Sequence, residues 1–430
     1  PNYLEQTVAT LTNETDIFLG DHTLTVGTHN EFYAIDNRFA VYGSGNYSFN
    51  NVGDFAETVC HYAQQNQGQY GIEGPGPICQ AQYPNAQPQT GLFLHQYSLL
   101  DDDPSTPGFE SLTNDNTNLR SDFNAVKLGF FVQDECSVTD RLRFTYGLRA
   151  DVPRILDSPR TPPNTNPGAG EDATLSAVAD AGYDLQGARA GEMPDWQVFW
   201  APRGGFNLAL NEDRTSQLRG GAGVYTSRLP FVWPGGAFLN DGMSADFLAG
   251  TGVPLRRPGN HLTRPEPGCC GGFFGGGGFG QGGVPVDEIR PTGNLFVFSE
   301  DFSYPRVLRT SLAYDQELPF GFIGTLEGQY SSKLQSIVVQ NVNLKKANET
   351  LDGPDNRPIW AASEYGNGSI TVDPTYGDIF LVQNRGKGYS YDLTFRLQKE
   401  AFEVTDGGVL QGSASYTYGD SRSLNNYGDT

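Results

Sequence analysis

The sequence predicts an all-β fold, and among all-β folds it favours a transmembrane antiparallel β-barrel with long external loops. Two observations support this prediction: apolar and polar residues alternate along many short segments, and short and long connections take turns along the chain. The composition agrees, because 54 Gly and 27 Pro but only 2 Met in 430 residues suit strands and turns better than helices. No stretch approaches the roughly 18 uninterrupted apolar residues of a transmembrane helix.

The alternation is clearest in residues 141–152, whose sequence is RLRFTYGLRADV. Successive side chains of a strand point to opposite faces, so this segment has one apolar face and one polar face. In a soluble sandwich the apolar face would form the core, whereas in a membrane barrel it would contact lipid and the arginines would line a wet lumen. Residues 196–210, 306–316 and 388–398 show the same two faces, with Tyr and Trp often near the ends of the apolar runs.

Four pairs of alternating segments are joined by short polar turns, and each pair predicts a β-hairpin. The paired segments are 127–135 with 141–152, 196–210 with 215–228, 306–316 with 321–332, and 388–398 with 408–419. Nearer the N-terminus, residues 21–49 predict two strands about residues 34–37, and Gly20-Asp21 offers a further short turn. One of these two turns must be external, and the sequence leaves open which.

The connections between the hairpins are long and rich in Gly, Pro, Asn and Asp. They cover about residues 51–120, 153–195, 229–303 and 333–387. Outer-membrane barrels have this asymmetry, with short periplasmic turns and long external loops. Soluble sandwiches usually keep their loops short at both ends. The asymmetry therefore favours the membrane barrel.

Charge and cysteine content narrow the function further. The net charge of −22 argues against nucleic-acid binding, which needs a basic patch, and it indicates an acidic, solvated exterior or a salt-adapted organism. The five cysteines lack zinc spacing and the five histidines are scattered, so neither a metal site nor a cofactor is expected. Cys60 and Cys79 bracket a polar stretch and are candidates for a loop disulfide if the compartment is oxidising.

Other motifs give no catalytic site. The sequence contains no GxSxG, no HExxH and no phosphate loop, so we do not expect an enzyme. The glycine-rich residues 268–283, which include Cys269 and Cys270, indicate a flexible external loop with a loop thiol pair or disulfide. Asp101, Asp102 and Asp103 are weak candidates for calcium ligands, and a solvated acidic loop is the preferred interpretation because the EF-hand order of ligands is absent.

Several arginines fall on the predicted polar faces and are candidate substrate-binding residues of the lumen. They are Arg141, Arg143, Arg149, Arg203, Arg219, Arg309 and Arg396. Structural pairing with carboxylates such as Asp151, Asp315 or Glu327 is the alternative, and the sequence favours it, because inward charges in a wet lumen need no special function.

Residues 128–153, LGFFVQDECSVTDRLRFTYGLRADVP, resemble the barrel signature of TonB-dependent receptors. In that signature a strand ending in Gln-Asp leads through a short turn to Leu-x-x-x-Tyr-Gly-Leu-Arg. Residues 199–233 resemble the following pair of strands, with Pro202-Arg203 and Arg219-Gly220-Gly221 in the usual positions. Residues 27–39, 302–331 and 385–402 are similar to the Oar-like subgroup, and the ordered set extends from about residue 20 to 425.

The resemblance implies that residues 1–430 form about a dozen strands of a 22-stranded barrel in the bacterial outer membrane, with the plug domain and the C-terminal strands absent. It implies import of a large or scarce substrate, driven by a TonB complex that acts on a plug outside this chain. External loops, with a possible surface lipoprotein, would capture the substrate, and plug carboxylates could pair with the lumen arginines. Peptides, glycans and metal chelates all remain open as substrates.

Two alternatives from other functional classes remain. The first is an outer-membrane adhesin or assembly scaffold that binds a protein partner through its loops. The second is a soluble β-rich carbohydrate-binding module.

Overall fold

The computed structural model describes residues 3–38, 46–49, 51–65, 77–87, 92–97, 120–169, 173–242, 246–251, 293–353, 356–360, 370–405 and 407–423. The strands are β1 (Tyr3–Leu19), β2 (His22–Arg38), β3 (Asn46–Ser48), β4 (Leu92–Tyr97), β5 (Arg120–Thr139), β6 (Leu142–Ile155), β7 (Phe199–Ala209), β8 (Ser216–Thr226), β9 (Asp246–Thr251), β10 (Leu295–Phe298), β11 (Arg306–Leu318), β12 (Phe322–Asn341), β13 (Glu349–Thr350), β14 (Pro358–Ile359), β15 (Ile379–Arg385), β16 (Gly388–Thr405) and β17 (Gly408–Ser423). The helices are α1 (Val52–Gln65), α2 (Pro77–Gln82), α3 (Thr174–Asp180) and α4 (Val232–Leu239).

The long strands form an antiparallel meander in the order β1-β2-β5-β6-β7-β8-β11-β12-β16-β17. Along it, short turns alternate strictly with long connections, so the short turns lie at one end of the sheet and the long connections at the other. The four hairpins predicted from the alternating segments are confirmed. The predicted asymmetry of the connections is present as well.

The N-terminal hairpin differs from the prediction. Residues 34–37 do not form a turn, because they lie inside β2 and pair on both sides, Ala34 for example with Thr7 and with Asn124. The turn lies instead at Gly20-Asp21, where Gly20 has a φ of +62°. Glycine adopts this left-handed conformation without steric cost, and tight hairpin turns require it. Residues 34–37 contain no glycine.

The strands are also longer than the sequence patterns predict. β5 and β12 each contain 20 residues, and each would reach about 66 Å if it were fully extended. A tilted strand needs only about 9–11 residues to cross a bilayer. The ends of β5 and β12 that lie farthest from the short turns therefore extend past the part of each strand that is needed to cross a membrane.

The sheet has one apolar face and one polar face, and its registers fix which residues share a face, because directly opposed residues lie on the same side. One row of the apolar face, near the short turns, joins Leu142, Leu208, Leu218, Tyr314, Leu326, Phe395 and Tyr416. Leu326 is 48% exposed, Phe395 52% and Tyr416 71%. A contiguous exposed apolar surface of this kind is typical of contact with lipid or with another protein.

The long connections pack into a cap, by which we mean the described residues of 156–198, 227–242, 293–305 and 342–379. The cap has its own core, in which Leu175 of α3, Val297 of β10 and Ile379 of β15 are fully buried. β10 and β15 pair in parallel, from Leu295–Ile379 to Phe298–Val382. No helix in the described part of the chain is long and apolar enough to cross a membrane.

The cap is attached to the sheet through an aromatic cluster. Near the long connections the polar face turns apolar, in the row Tyr33, Ala125 and Ile155, and these side chains are buried. Phe123 of β5 stacks on Phe238 of α4, with ring centroids 5.0 Å apart. The Ser121 hydroxyl donates a hydrogen bond to the Gly235 carbonyl of the same helix, at 2.5 Å. Outside the cap, a Cys60–Cys79 disulfide joins α1 to α2.

Replacing Phe123 by Ala is expected to loosen the cap selectively. Phe123 is 1% exposed, and its truncation leaves a cavity that should cost about 3–5 kcal/mol of local stability. The control is Phe130→Ala in the same strand, since Phe130 lies on the apolar face and is 52% exposed. Hydrogen exchange of cap amides in the purified full-length protein should speed up in F123A only. Equal exchange in the two variants would contradict the packing described for α4.

Candidate functional site

The candidate site is the polar face of the sheet. Its central row, defined by direct register partners, runs across eight strands from β5 to β17 and contains only polar residues and glycine. The row consists of Gln133, Gly147, Arg203, Gly223, Arg309, Ser331, Ser390 and Ser421. A surface of this composition binds water or solutes and is unsuited to lipid.

The polar face is concave. Arg228, which follows β8, forms an ion pair with Glu31 of β2. Strands β5, β6 and β7 lie between β2 and β8, and in a flat sheet β2 and β8 would be about 19 Å apart. The pair therefore crosses a curved wall. The Glu31 carboxylate is also 3.6 Å from the His29 ring and is almost completely buried.

Six of the seven candidate arginines lie on this face, and Arg141 lies in the turn between β5 and β6. Arg149 forms an ion pair with buried Asp151 at 2.8 Å, and Lys127 also approaches that carboxylate, at 3.6 Å. These partners neutralise the charge of Arg149 within the wall, so the structure accounts for this arginine without a ligand.

Arg219 and Arg143 are paired as well. Arg219 contacts Asp315 at 3.0 Å and Glu327 at 3.3 Å, and Thr325 donates a hydrogen bond to Asp315. Arg143 pairs with Glu135 at 3.1 Å, and both side chains are exposed. Arg396 donates a hydrogen bond to the Gln398 side chain at 2.8 Å.

Arg203 and Arg309 have a different environment. No described carboxylate pairs with either guanidinium, and the Nε atom of Arg203 is buried without an acceptor. The Arg309 guanidinium lies 5.9 Å from the centre of the Tyr225 ring, a cation–π contact. Arg141 and Arg396 likewise contact no described carboxylate, but only Arg203 and Arg309 of the predicted set lie in the central row.

Sequence reasoning did not detect Glu31, Arg228 or Lys127 as parts of this face. Glu31 and Lys127 lie in strands with mixed local patterns, and they are themselves register partners. The signal that could have marked them is an acid and a base at matching positions of neighbouring predicted strands. Arg228 lies beyond the end of its strand, where alternation gives no information about direction.

A second polar cluster lies on the opposite, apolar face near the short turns. His22 Nδ1 is 2.7 Å from Asp134 Oδ2, and the Tyr146 hydroxyl donates to the same oxygen at 2.6 Å. Cys136 Sγ lies 3.6 Å from His22 Nε2. These contacts satisfy polar groups of side chains that point away from the concave face.

Several predicted features lie outside the described residues: Asp101, Asp102, Asp103, Cys269, Cys270 and the whole of residues 268–283. Within the described ranges, no group of three His, Cys, Asp or Glu side chains is arranged to hold a metal ion.

The sequence matches, over residues 1–430, the family described as an outer membrane beta barrel domain. No curated protein matches it. Similar solved structures include the outer membrane transporter YddB from Escherichia coli, with 8% identity and a TM-score of 0.44, covering 98% of this chain and 34% of that one. Another is the FrpB iron transporter from Neisseria meningitidis (F5-1 variant), with 10% identity and a TM-score of 0.42, covering 99% and 38%. The chain thus spans about a third of the length of these structures.

Adjacent residues of β16 allow a direct test of the two faces. Leu393 lies on the apolar face and Thr394 on the polar face, where its hydroxyl is 2.8 Å from that of Thr417. Leu393→Arg should lower the free energy of unfolding by about 2–4 kcal/mol if it lies near the bilayer midplane, because lipid does not solvate the charge. Thr394→Arg should cost about 1 kcal/mol, the value of one hydrogen bond. Urea titrations of the full-length protein in phospholipid vesicles measure both costs, and equal costs would contradict the assignment of faces.

Proposed function

The chain belongs to the outer membrane beta barrel domain family, and from that premise we propose that it forms part of the wall of a receptor that imports a solute across the bacterial outer membrane. The observation that carries the proposal is the two-faced wall. Its apolar face suits lipid, while its concave polar face has two arginines in its central row without a described carboxylate partner and ends beneath a packed cap. A wall with these properties can hold a solute and also restrict its entry.

We further propose that the import is TonB-dependent and that a plug domain outside residues 1–430 fills the barrel. The support is the sequence resemblance of residues 128–153 and 199–233 to TonB-dependent receptors, including its Oar-like subgroup. The substrate would be too large or too scarce for open pores, and a surface lipoprotein is a candidate partner in its capture.

The two alternatives differ in how well they fit the described residues. A soluble carbohydrate-binding module would expose the apolar rows of the sheet to water, which is costly, so we do not favour it. An adhesin or assembly scaffold would use the cap as a protein-binding surface and would have no need of uncompensated arginines in the lumen.

Solute uptake by cells distinguishes import from adhesion. A strain that lacks the full-length gene, the same strain with the gene restored, and the restored strain treated with a protonophore are grown in a defined mixture of peptides, glycans and iron chelates. We expect the restored strain to deplete at least one component that the other two cultures leave in the medium, because energised import needs both the receptor and the proton-motive force. Depletion is measured by mass spectrometry of the medium.

Purified full-length receptor should also bind the periplasmic domain of TonB in a pull-down assay. Equal depletion of every component in all three cultures, together with altered attachment of the deletion strain to surfaces, would overturn the import proposal and support the adhesin. Depletion that persists with the protonophore would overturn TonB dependence alone.

A further inference from the structure

We propose that Arg203 and Arg309 form an oxyanion-binding site on the polar face, and that its ligand presents a carboxylate or phosphate group. The inference deepens the proposed receptor function, on which it rests, by naming the chemistry that the lumen recognises. It concerns two residues of the central row, and the other candidate arginines are not part of it.

The register brings the two arginines together. Arg203 of β7 and Arg309 of β11 are both direct partners of Gly223 in β8, which lies between them. Their Cα atoms are therefore about 10 Å apart, twice the spacing of neighbouring strands. Because Gly223 has no side chain, the Tyr225 ring lies over it between the two arginines, and its hydroxyl is part of the same groove.

Two glycines allow Arg203 to lie along the wall. Gly147 and Gly223 are its partners on either side. A Cβ atom at Gly223 would lie only 2.9 Å from the Cβ of Arg203 and 3.1 Å from the Tyr225 ring. The glycine is thus required for the position of Arg203 and for that of Tyr225, the ring against which Arg309 packs.

The two arginines line an open groove of about 360 Å³, a volume within the usual range of small-molecule sites. Side chains that donate hydrogen bonds complete its lining: Gln133, Thr145, Ser311 and Ser331. The described lining contains no Asp or Glu, although the whole chain has 50 acidic residues against 28 basic ones. A groove lined by two arginines and by no acidic side chain favours an anionic ligand.

Two neighbouring arginines of the same wall have carboxylate partners and serve as a comparison. An adjoining groove of about 370 Å³ contains Arg143 and Arg219, each of which already contacts a carboxylate. In contrast, no described carboxylate contacts Arg203 or Arg309. A bound oxyanion would accept hydrogen bonds from both guanidinium groups, and such charge-assisted bonds are among the strongest in proteins.

Calorimetric titration of the purified full-length protein with citrate and with inorganic phosphate tests the site. The variants are Arg203→Gln, Arg309→Gln and the double substitution, and the matched control is Arg143→Gln, which removes a charge from the same wall beside an exposed partner. We expect each single variant to weaken binding by about tenfold to a hundredfold, and R143Q to leave it unchanged. Heat-modifiable gel mobility verifies that every variant is folded. Because Arg309 is exposed, R309Q removes no buried contact.

The same variants distinguish the source of the oxyanion. Saturable binding of either probe, lost in the double variant, identifies a free solute. If neither probe binds the folded protein, the proposal is overturned.

Calorimetry on purified protein needs no energised transport, so this inference and the proposed import can fail separately. Uptake that persists in the R203Q/R309Q double variant, together with unchanged probe binding, would overturn the oxyanion site alone. Normal probe binding by a protein that takes up nothing would overturn the import function alone.

Discussion

The continuous antiparallel ladder is the constraint on which the rest of the structure depends. Lipid offers no hydrogen-bond partner to a peptide group, so the wall must satisfy its backbone between strands. Once the ladder is formed, the period of two assigns every side chain to one face, and a slip of one residue would exchange the faces of a whole strand. The row from Leu142 to Tyr416 and the row from Gln133 to Ser421 are both consequences of one set of registers.

Sequence reasoning succeeded where the information is local. Alternation identified the hairpins and both faces, and the lengths of the connections indicated which end carries the loops. It failed at residues 34–37, where polar residues were interpreted as a turn although no glycine supports one. It also missed the cap, because the cap is held by distant pairings such as Leu295 with Ile379, which no periodic pattern reveals.

The polar site shows the same division between local and distant information. Alternation alone sufficed to put arginines on the inner face. Whether an arginine is compensated depends on residues far away in sequence, as in Arg219 with Asp315 and Glu327, 96 and 108 positions later. The difference between Arg219 and Arg203 is therefore a property of register, and it becomes visible only when the strands are aligned.

The ion pair between Arg228 and Glu31 is a second attachment of the cap to the wall. Arg228 belongs to the cap and Glu31 to the wall, and the pair crosses the concave side of the wall from the end of β8 to β2. The cap is thus joined to β2 by a pair of charges as well as to β5 by aromatic packing, so separating the cap from the wall requires both contacts to break.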